Sequence, residues 1–179
     1  MQKYDIVIIG GGAAGMMAAI SASQKKRHIL LIEKNDRLGR KILATGNGRC
    51  NLTNKNISVD RFHGASQKFV ESILSQFDQN ETMDFFENLG LMLKEEDRGR
   101  IFPRTNQASS VVEVLEHKLR ENNVNIFLNS IVKNIERIPN MKFPRSNDDN
   151  SSVGEVPHSW NIKLENGQNI QCSKLIIAT

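Results

Sequence analysis

Three apolar runs along the chain lack helical spacing. Tyr4 to Ile9 reads YDIVII, His28 to Ile32 reads HILLI, and Lys174 to Thr179 reads KLIIAT. Short runs of this kind predict strands buried on both faces of a sheet. Val124 to Leu128 predicts a further strand of the parallel type. Between the first two runs, Ala13 to Lys25 is rich in Ala, Met, Ser and Gln and predicts a helix, so the chain opens on a βαβ unit. From Ser66 to Asn88, Phe69, Ile73 and Phe77 form one helical stripe, and Met83 and Phe86 form another. They predict two helices broken near Asp78 to Asn80. Leu89 to Leu93 and Ile101-Phe102-Pro103 predict short strands. Ser110 and Glu113 read as a capping box ahead of Val111, Leu115 and Leu119, on a helix that ends near Asn122-Asn123.

Ile131 to Ile138 alternates in part. Trp160, Ile162 and Leu164 alternate toward a turn at Asn166-Gly167, and Ile170 and Cys172 continue beyond it. The pattern predicts an antiparallel β-meander over 131–173. Within it, 139–157 holds three of the four prolines and the polar run 146–152, which predicts a solvated hairpin tip or insertion. No charged residue occurs from Ile6 to Gln24, a length that could span a membrane. Gly10, Gly11 and Gly12 interrupt the stretch, however, and β-branched residues before them give way to Ala and Met after them. A strand followed by a helix accounts for this better, and no membrane partner is expected.

Composition changes the picture in one place. The chain has 179 residues, 24 Lys plus Arg against 20 Asp plus Glu, and 39% hydrophobic residues. This excludes a wholly disordered chain and a multi-span membrane protein, and it allows a single domain over 1–179. The positive surplus gathers between Lys34 and Gly64. There Lys34, Arg37, Arg40, Lys41, Arg49, Lys55 and Arg61 face only Asp36 and Asp60. This stretch is too long and too poor in apolar pattern for an ordinary connection, so it is either a functional loop or disordered. No aromatic residue interleaves with its charges, so nucleic-acid binding is not expected. Cys50 and Cys172 are too far apart for a disulfide framework or metal knuckle, which points to a reducing, cytoplasmic compartment. No histidine has metal-ligand spacing, and no metal site is expected.

The chemistry begins at Gly10-x-Gly12-x-x-Gly15, which follows the first strand and opens the first helix through Ala13 and Ala14. Gly10 permits a tight turn, Gly12 lets a pyrophosphate approach the backbone, and Gly15 lets helix and strand pack closely. The helix N-terminus offers free N–H groups and a positive dipole. Glu33 ends the second strand and can accept two hydrogen bonds from a ribose diol. It would repel a 2′-phosphate, which leaves FAD or NAD rather than NADP. The residues alone leave those two open.

The block Glu33-Lys34-Asn35-Asp36-Arg37-Leu38-Gly39-Arg40-Lys41-Ile42-Leu43-Ala44-Thr45-Gly46-Asn47-Gly48-Arg49-Cys50-Asn51-Leu52-Thr53-Asn54 closely resembles the BaiN-type, or aminoacetone-oxidase-like, flavoproteins of the glutathione-reductase superfamily. Gly99-Arg100-Ile101-Phe102-Pro103 and the terminal Leu175-Ile176-Ile177-Ala178-Thr179 resemble motifs of the same group. The resemblance runs the whole length of the chain. It implies a Rossmann-like α/β domain binding FAD, with adenosine at Gly10–Gly15 and Glu33 and the flavin beside the loop from Gly39 to Asn51. The cofactor contacts it implies are Lys34, Gly39, Arg40, Lys41, Thr45, Gly46, Gly48, Arg49, Cys50, Asn51 and Thr179. Arg40, Lys41 and Arg49 would balance phosphate charge and a reduced flavin. Cys50 has no second cysteine for dithiol chemistry and reads first as a small buried residue.

Members of that group carry a discontinuous FAD domain and an inserted domain for substrate or nicotinamide. The resemblance therefore implies that residues 1–179 are the N-terminal part of a longer protein, that NAD(P)H serves as second nucleotide there, and that the substrate is a small molecule. The expected partner is the C-terminal remainder, without which FAD is held weakly or not at all. No catalytic acid or base can be named. An NAD-dependent Rossmann dehydrogenase and a non-catalytic nucleotide-binding remnant are the rival readings.

Overall fold

The computed structural model describes residues 2–25, 27–142 and 155–179. In chain order the elements are β1 (Gln2–Ile9), α1 (Ala13–Ser23), β2 (Ile29–Ile32), α2 (Arg40–Ala44), β3 (Thr53–Asn54), α3 (Gln67–Leu74), α4 (Gln79–Asn88), β4 (Leu93–Glu96), β5 (Arg100–Pro103), α5 (Ala108–Glu121), β6 (Asn125–Phe127), β7 (Val132–Lys142), β8 (Glu155–Leu164) and β9 (Asn169–Ile177). They fall into two compact units, 1–40 with 116–179, and 41–115.

The first unit is built on a six-stranded sheet in the order β6-β2-β1-β9-β8-β7. The first four strands run parallel, and β9-β8-β7 form the antiparallel meander. This is the mixed α/β sheet expected from the sequence. All four residues of β2 are at most 1% exposed. Burying aliphatic side chains of this size contributes about 1.5–3 kcal/mol each, which is why a four-residue run can anchor the sheet. Tyr4, Val7, Ile9, Leu30, Ile32, Ile162, Leu164, Ile170 and Cys172 share one core, so the parallel strands and the meander are packed together. The uncharged stretch near the N-terminus divides into β1, the glycine turn and α1. Among the described residues no helix is long and apolar enough to cross a membrane.

The strand expected over Leu89 to Leu93 lies further on, because Leu89 caps α4 and β4 begins at Leu93. Two expectations for the C-terminal strands also need correction. The return strand through Ile170 and Cys172 and the run Lys174 to Thr179 are one strand, β9. Asn169 to Cys172 pair with β8, and the strand from Ile170 to Ile177 runs beside β1. The β8 pairing ends at Trp160–Cys172, so the later residues have a neighbour on one side only. Ile176 and Ile177 are exposed, not buried on both faces. The polar run expected at the hairpin tip, 146–152, lies outside the described residues. Met141 and Lys142 pair with Val156 and Glu155 on either side of it.

The second unit carries a three-stranded antiparallel sheet, β3-β5-β4, with Ile101 and Phe102 buried. The glycine-rich stretch is ordered. It forms α2, a 3₁₀ turn at Thr45–Gly48, strand β3 and a second 3₁₀ turn at Val59–Arg61. The break expected near Asp78 is a complete capping box: Asp78 accepts from the Asn80 and Glu81 amides, and Glu81 accepts from the Asp78 amide.

The stripe Phe69, Ile73, Phe77 does not form a core. All three are exposed, and the buried residue of α3 is Val70. Helix α5 starts at Ala108 rather than after Ser110. Ala108 is buried and belongs to the same apolar face as Val111, Val112, Leu115 and Leu119, and the helix takes in Ala108, Ser109 and Ser110. Ser110 therefore sits inside the first turn, where its hydroxyl meets that of Thr105 at 2.9 Å.

Candidate nucleotide-binding site

The turn between β1 and α1 sets the geometry. Gly10 has φ +111°, and a Cβ there would lie 2.5 Å from the Ala178 carbonyl oxygen, which itself follows the end of β9. Only glycine fits between two neighbouring strand ends in this way. A Cβ on Gly15 would overlap the Gly10 carbonyl oxygen, so α1 can pack this closely on the turn only with glycine. Gly12 differs from both. A Cβ there would meet nothing within 4 Å. Gly12 is also the N-cap of α1, with extended backbone and no capping side chain. Its carbonyl accepts from Met16 at 3.0 Å, while Ala13 and Ala14 are exposed. The first helical N–H groups thus have no intrahelical partner, and the space in front of them is open.

Glu33 follows β2 and is 8% exposed. Its Oε2 accepts from the Gly11 amide at 2.6 Å. Its Oε1 accepts from the Asn35 amide at 2.8 Å and from Asn35 Nδ2 at 2.5 Å. Asn35 Oδ1 in turn accepts from Arg40 at 2.8 Å. The backbone of this corner is pinned from β6 and the residues after it: Glu33 N–H donates to Phe127, Ser130 N–H to Glu33, and Asn129 N–H to Asn35. Gly39 N–H donates to the Gly11 carbonyl at 2.8 Å. The first unit therefore brings together Gly10, Gly12, Ala13, Ala14, Gly15, Glu33, Gly39 and Arg40, with Lys34 and Thr179 exposed near the ends of β2 and β9.

The other expected contacts belong to the second unit. Lys41, Thr45, Gly46, Gly48 and Asn51 are exposed. Thr45 Oγ1 donates to the Ile42 carbonyl, and the Asn51 amide is oriented to donate to the carbonyls of Thr53 and Ile101. Arg49 is engaged by protein groups. Its guanidinium donates to both oxygens of Glu96 (2.9 and 3.1 Å) and lies 4.3 Å from the Phe102 ring centroid. Lys94 first, and Arg49 with it, hold the Glu96 carboxyl below its ordinary range. Arg49 thus ties the glycine-rich segment to the β4–β5 sheet, a role that spacing alone did not show.

Cys50 is buried, with φ +60°. Burial pushes its thiol up, and a hydrogen bond with Thr45 offsets this in part. Cys172 is fully buried and its thiol is pushed up to about 12. A thiol with a raised folded-state value stays protonated while the unfolded chain ionises near 9. Rising pH between about 9 and 12 therefore favours unfolding through Cys172. Urea titrations at a series of alkaline pH values should show stability falling across this window, with a shallower fall in Cys172→Ala. In native protein at pH 8 neither thiol should react with a disulfide reagent, and both should react after unfolding. Among the described residues no group of His, Cys, Asp and Glu is placed to hold a metal ion.

Sequence spacing missed Asn35, Asn129 and Ser130. Asn35 stands two residues after Glu33, where an amide side chain can reach back to a carboxylate. The signal at Asn129 is weaker: an asparagine directly after a strand, here with φ +50°.

A sheet whose parallel part opens on a βαβ unit with this glycine turn and a buried acid at the end of β2 is a Rossmann fold of the dinucleotide-binding type. Residues 4–179 match the family described as HI0933-like protein Rossmann domain, and the chain belongs to that family. The flavoprotein resemblance seen in the glycine-rich block therefore holds.

The 3-dehydro-bile acid delta(4,6)-reductase of Clostridium scindens is 46% identical over 99 residues, covering 55% of this chain and 24% of that protein. The ribosomal RNA dihydrouridine synthase of Escherichia coli is 31% identical over 179 residues, covering 100% and 40%. The chain thus spans a quarter to two fifths of these relatives' lengths. Among solved structures, the 3-ketosteroid-delta4-(5alpha)-dehydrogenase of Rhodococcus jostii aligns with TM-score 0.63 at 13% identity, covering 99% of this chain and 46% of the other. THI4 of Thermovibrio ammonificans aligns with TM-score 0.59 at 12% identity, covering 99% and 57%. At these identities the likeness concerns the fold.

Proposed function

We propose that this chain is the FAD-binding part of a flavin-dependent oxidoreductase. The observation that carries the reading is the open space at Gly12, set before an uncapped helix start in the same unit as the buried Glu33. The N–H groups of Ala13, Ala14 and Gly15 would hold a pyrophosphate, and Glu33 would accept from the adenosine ribose. Arg40 is linked to Glu33 through the Asn35 side chain. The loop holding Lys41, Thr45, Gly46, Gly48, Cys50 and Asn51 would serve the flavin end, as the family resemblance implies. When bound, FAD supplies reversible hydride acceptance from NAD(P)H or a reduced substrate. The chain's residues bind, orient and neutralise.

The relatives' names carry two different substrates, a 3-dehydro-bile acid and ribosomal RNA. In the whole protein, anaerobic NADH or NADPH should bleach the visible flavin bands, which return with oxygen. A protein that binds NAD in place of FAD and shows no flavin absorbance would instead be the Rossmann dehydrogenase. Glu33→Ala should weaken FAD binding about tenfold or more, because hydrogen bonds to a charged group contribute about 1.5–3 kcal/mol. Fluorescence titration measures this.

A further inference from the structure

Glu33 does not present both oxygens equally. An ionised carboxylate offers about four lone-pair positions. Oε1 already receives two donors, both from Asn35, whereas Oε2 receives one, from the Gly11 amide. The position left open is on Oε2. The Asn35 side chain is fixed in its turn. Its Nδ2 faces the Glu33 carboxylate and its Oδ1 faces the Arg40 guanidinium, so exchanging the amide's two ends would set acceptor against acceptor and donor against donor. Its backbone carbonyl is held by Asn129 N–H at 2.9 Å. A chain of charged and neutral hydrogen bonds thus runs from Arg40 through Asn35 to Glu33 and Gly11, in a corner where Glu33, Leu38 and Gly39 are buried.

We infer that Asn35, braced by Arg40, is a positioning residue that occupies Oε1 and leaves Glu33 to read a single ribose hydroxyl through Oε2. This rests on the nucleotide reading above and sharpens it, since the spacing of Glu33 alone suggested a grip on both hydroxyls of the diol. Asn35 then sets which hydroxyl the site senses, and its removal frees Oε1 for the other.

The test is an NMR titration of the ¹⁵N-labelled chain, followed at the Gly11 and Gly12 amides, with ADP, 2′-deoxy-ADP and 3′-deoxy-ADP. In the wild type, one deoxy analogue should bind about tenfold more weakly than ADP and the other within about twofold, the size expected for one hydrogen bond to a carboxylate. In Asn35→Ala the two analogues should come within about threefold of each other. Arg40→Ala should shift the same ratio in the same direction, and Arg40→Lys should retain most of it. Equal loss with both analogues in the wild type, or a ratio that Asn35→Ala leaves unchanged, overturns the inference.

Failure of the wild type to bind ADP at all would overturn the nucleotide reading as well, so the two failures are distinguishable. A readout without ligand accompanies these. Hydrogen exchange at the Gly11 amide should quicken several-fold in Asn35→Ala, because its acceptor loses its hold. Unchanged protection there also counts against a positioning role.

Discussion

Gly12→Val should abolish nucleotide binding and leave the fold intact. The two halves of this expectation come from one observation: a side chain at Gly12 meets no protein atom within 4 Å. Nothing in the fold resists the new atoms, and φ −79° at this position is ordinary for any L-residue. The added isopropyl group instead fills the space before the first N–H groups of α1. A pyrophosphate must come within hydrogen-bond distance, about 2.7–3.2 Å, of those donors. Filling that space removes the close approach outright, so the expected loss is about 100-fold or more in affinity, while the thermal midpoint moves by only a few degrees. Binding is read by fluorescence titration and folding by circular dichroism. Retained affinity would place the pyrophosphate elsewhere.

Gly15→Ala should do the reverse, destabilising the fold itself. Helix propensity alone would favour the change by about 1 kcal/mol, since alanine is the better helix former. Packing opposes it far more strongly. The new methyl would overlap the Gly10 carbonyl oxygen, and both partners are backbone, so no rotamer change relieves the contact. Relief requires α1 to move off the β1 turn, although Met16, Ala19 and Ile20 on the same helix are buried. Overpacking in well-filled interiors costs about 1–3 kcal/mol, and a backbone-on-backbone clash belongs at or above the top of that range. Against a typical total of about 5–15 kcal/mol, this is a large fraction of the stability. A urea denaturation midpoint that is unchanged or raised would show that propensity wins and that helix and strand are less closely packed than described.

Much of the first unit was legible in the sequence because its signals are local. YDIVII and HILLI are buried strands, and Asn166-Gly167 is the turn between β8 and β9. The Gly10 to Gly15 spacing reports close backbone approaches that the structure bears out at Gly10 and Gly15. What the sequence concealed depends on partners distant along the chain. KLIIAT looks like a two-sided buried strand, but Ile176 and Ile177 are exposed, because burial of a strand's faces is decided by what packs over them from elsewhere in the chain. Phe69, Ile73 and Phe77 have helical spacing, but spacing cannot say that α3 ends at Leu74, before Phe77, or which of its faces is buried. Ser110 and Glu113 have the right separation for a cap, but the buried Ala108 moves the helix start. Arg49 is basic in a basic loop, and its actual partners, Glu96 and Phe102, lie some fifty residues away. The hold of Asn35 on Glu33 spans only two residues, yet it needs the β6 corner to become visible.

The central claim is that the β1–α1 turn with Glu33 receives the ADP end of FAD. Its most direct test is equilibrium titration of FAD fluorescence with this chain, repeated in the presence of ADP. The account predicts saturable, weak binding at one FAD per chain, displaced by ADP and lost in Gly12→Val. Absence of saturation, or FAD binding that ADP and Gly12→Val leave untouched, would contradict it.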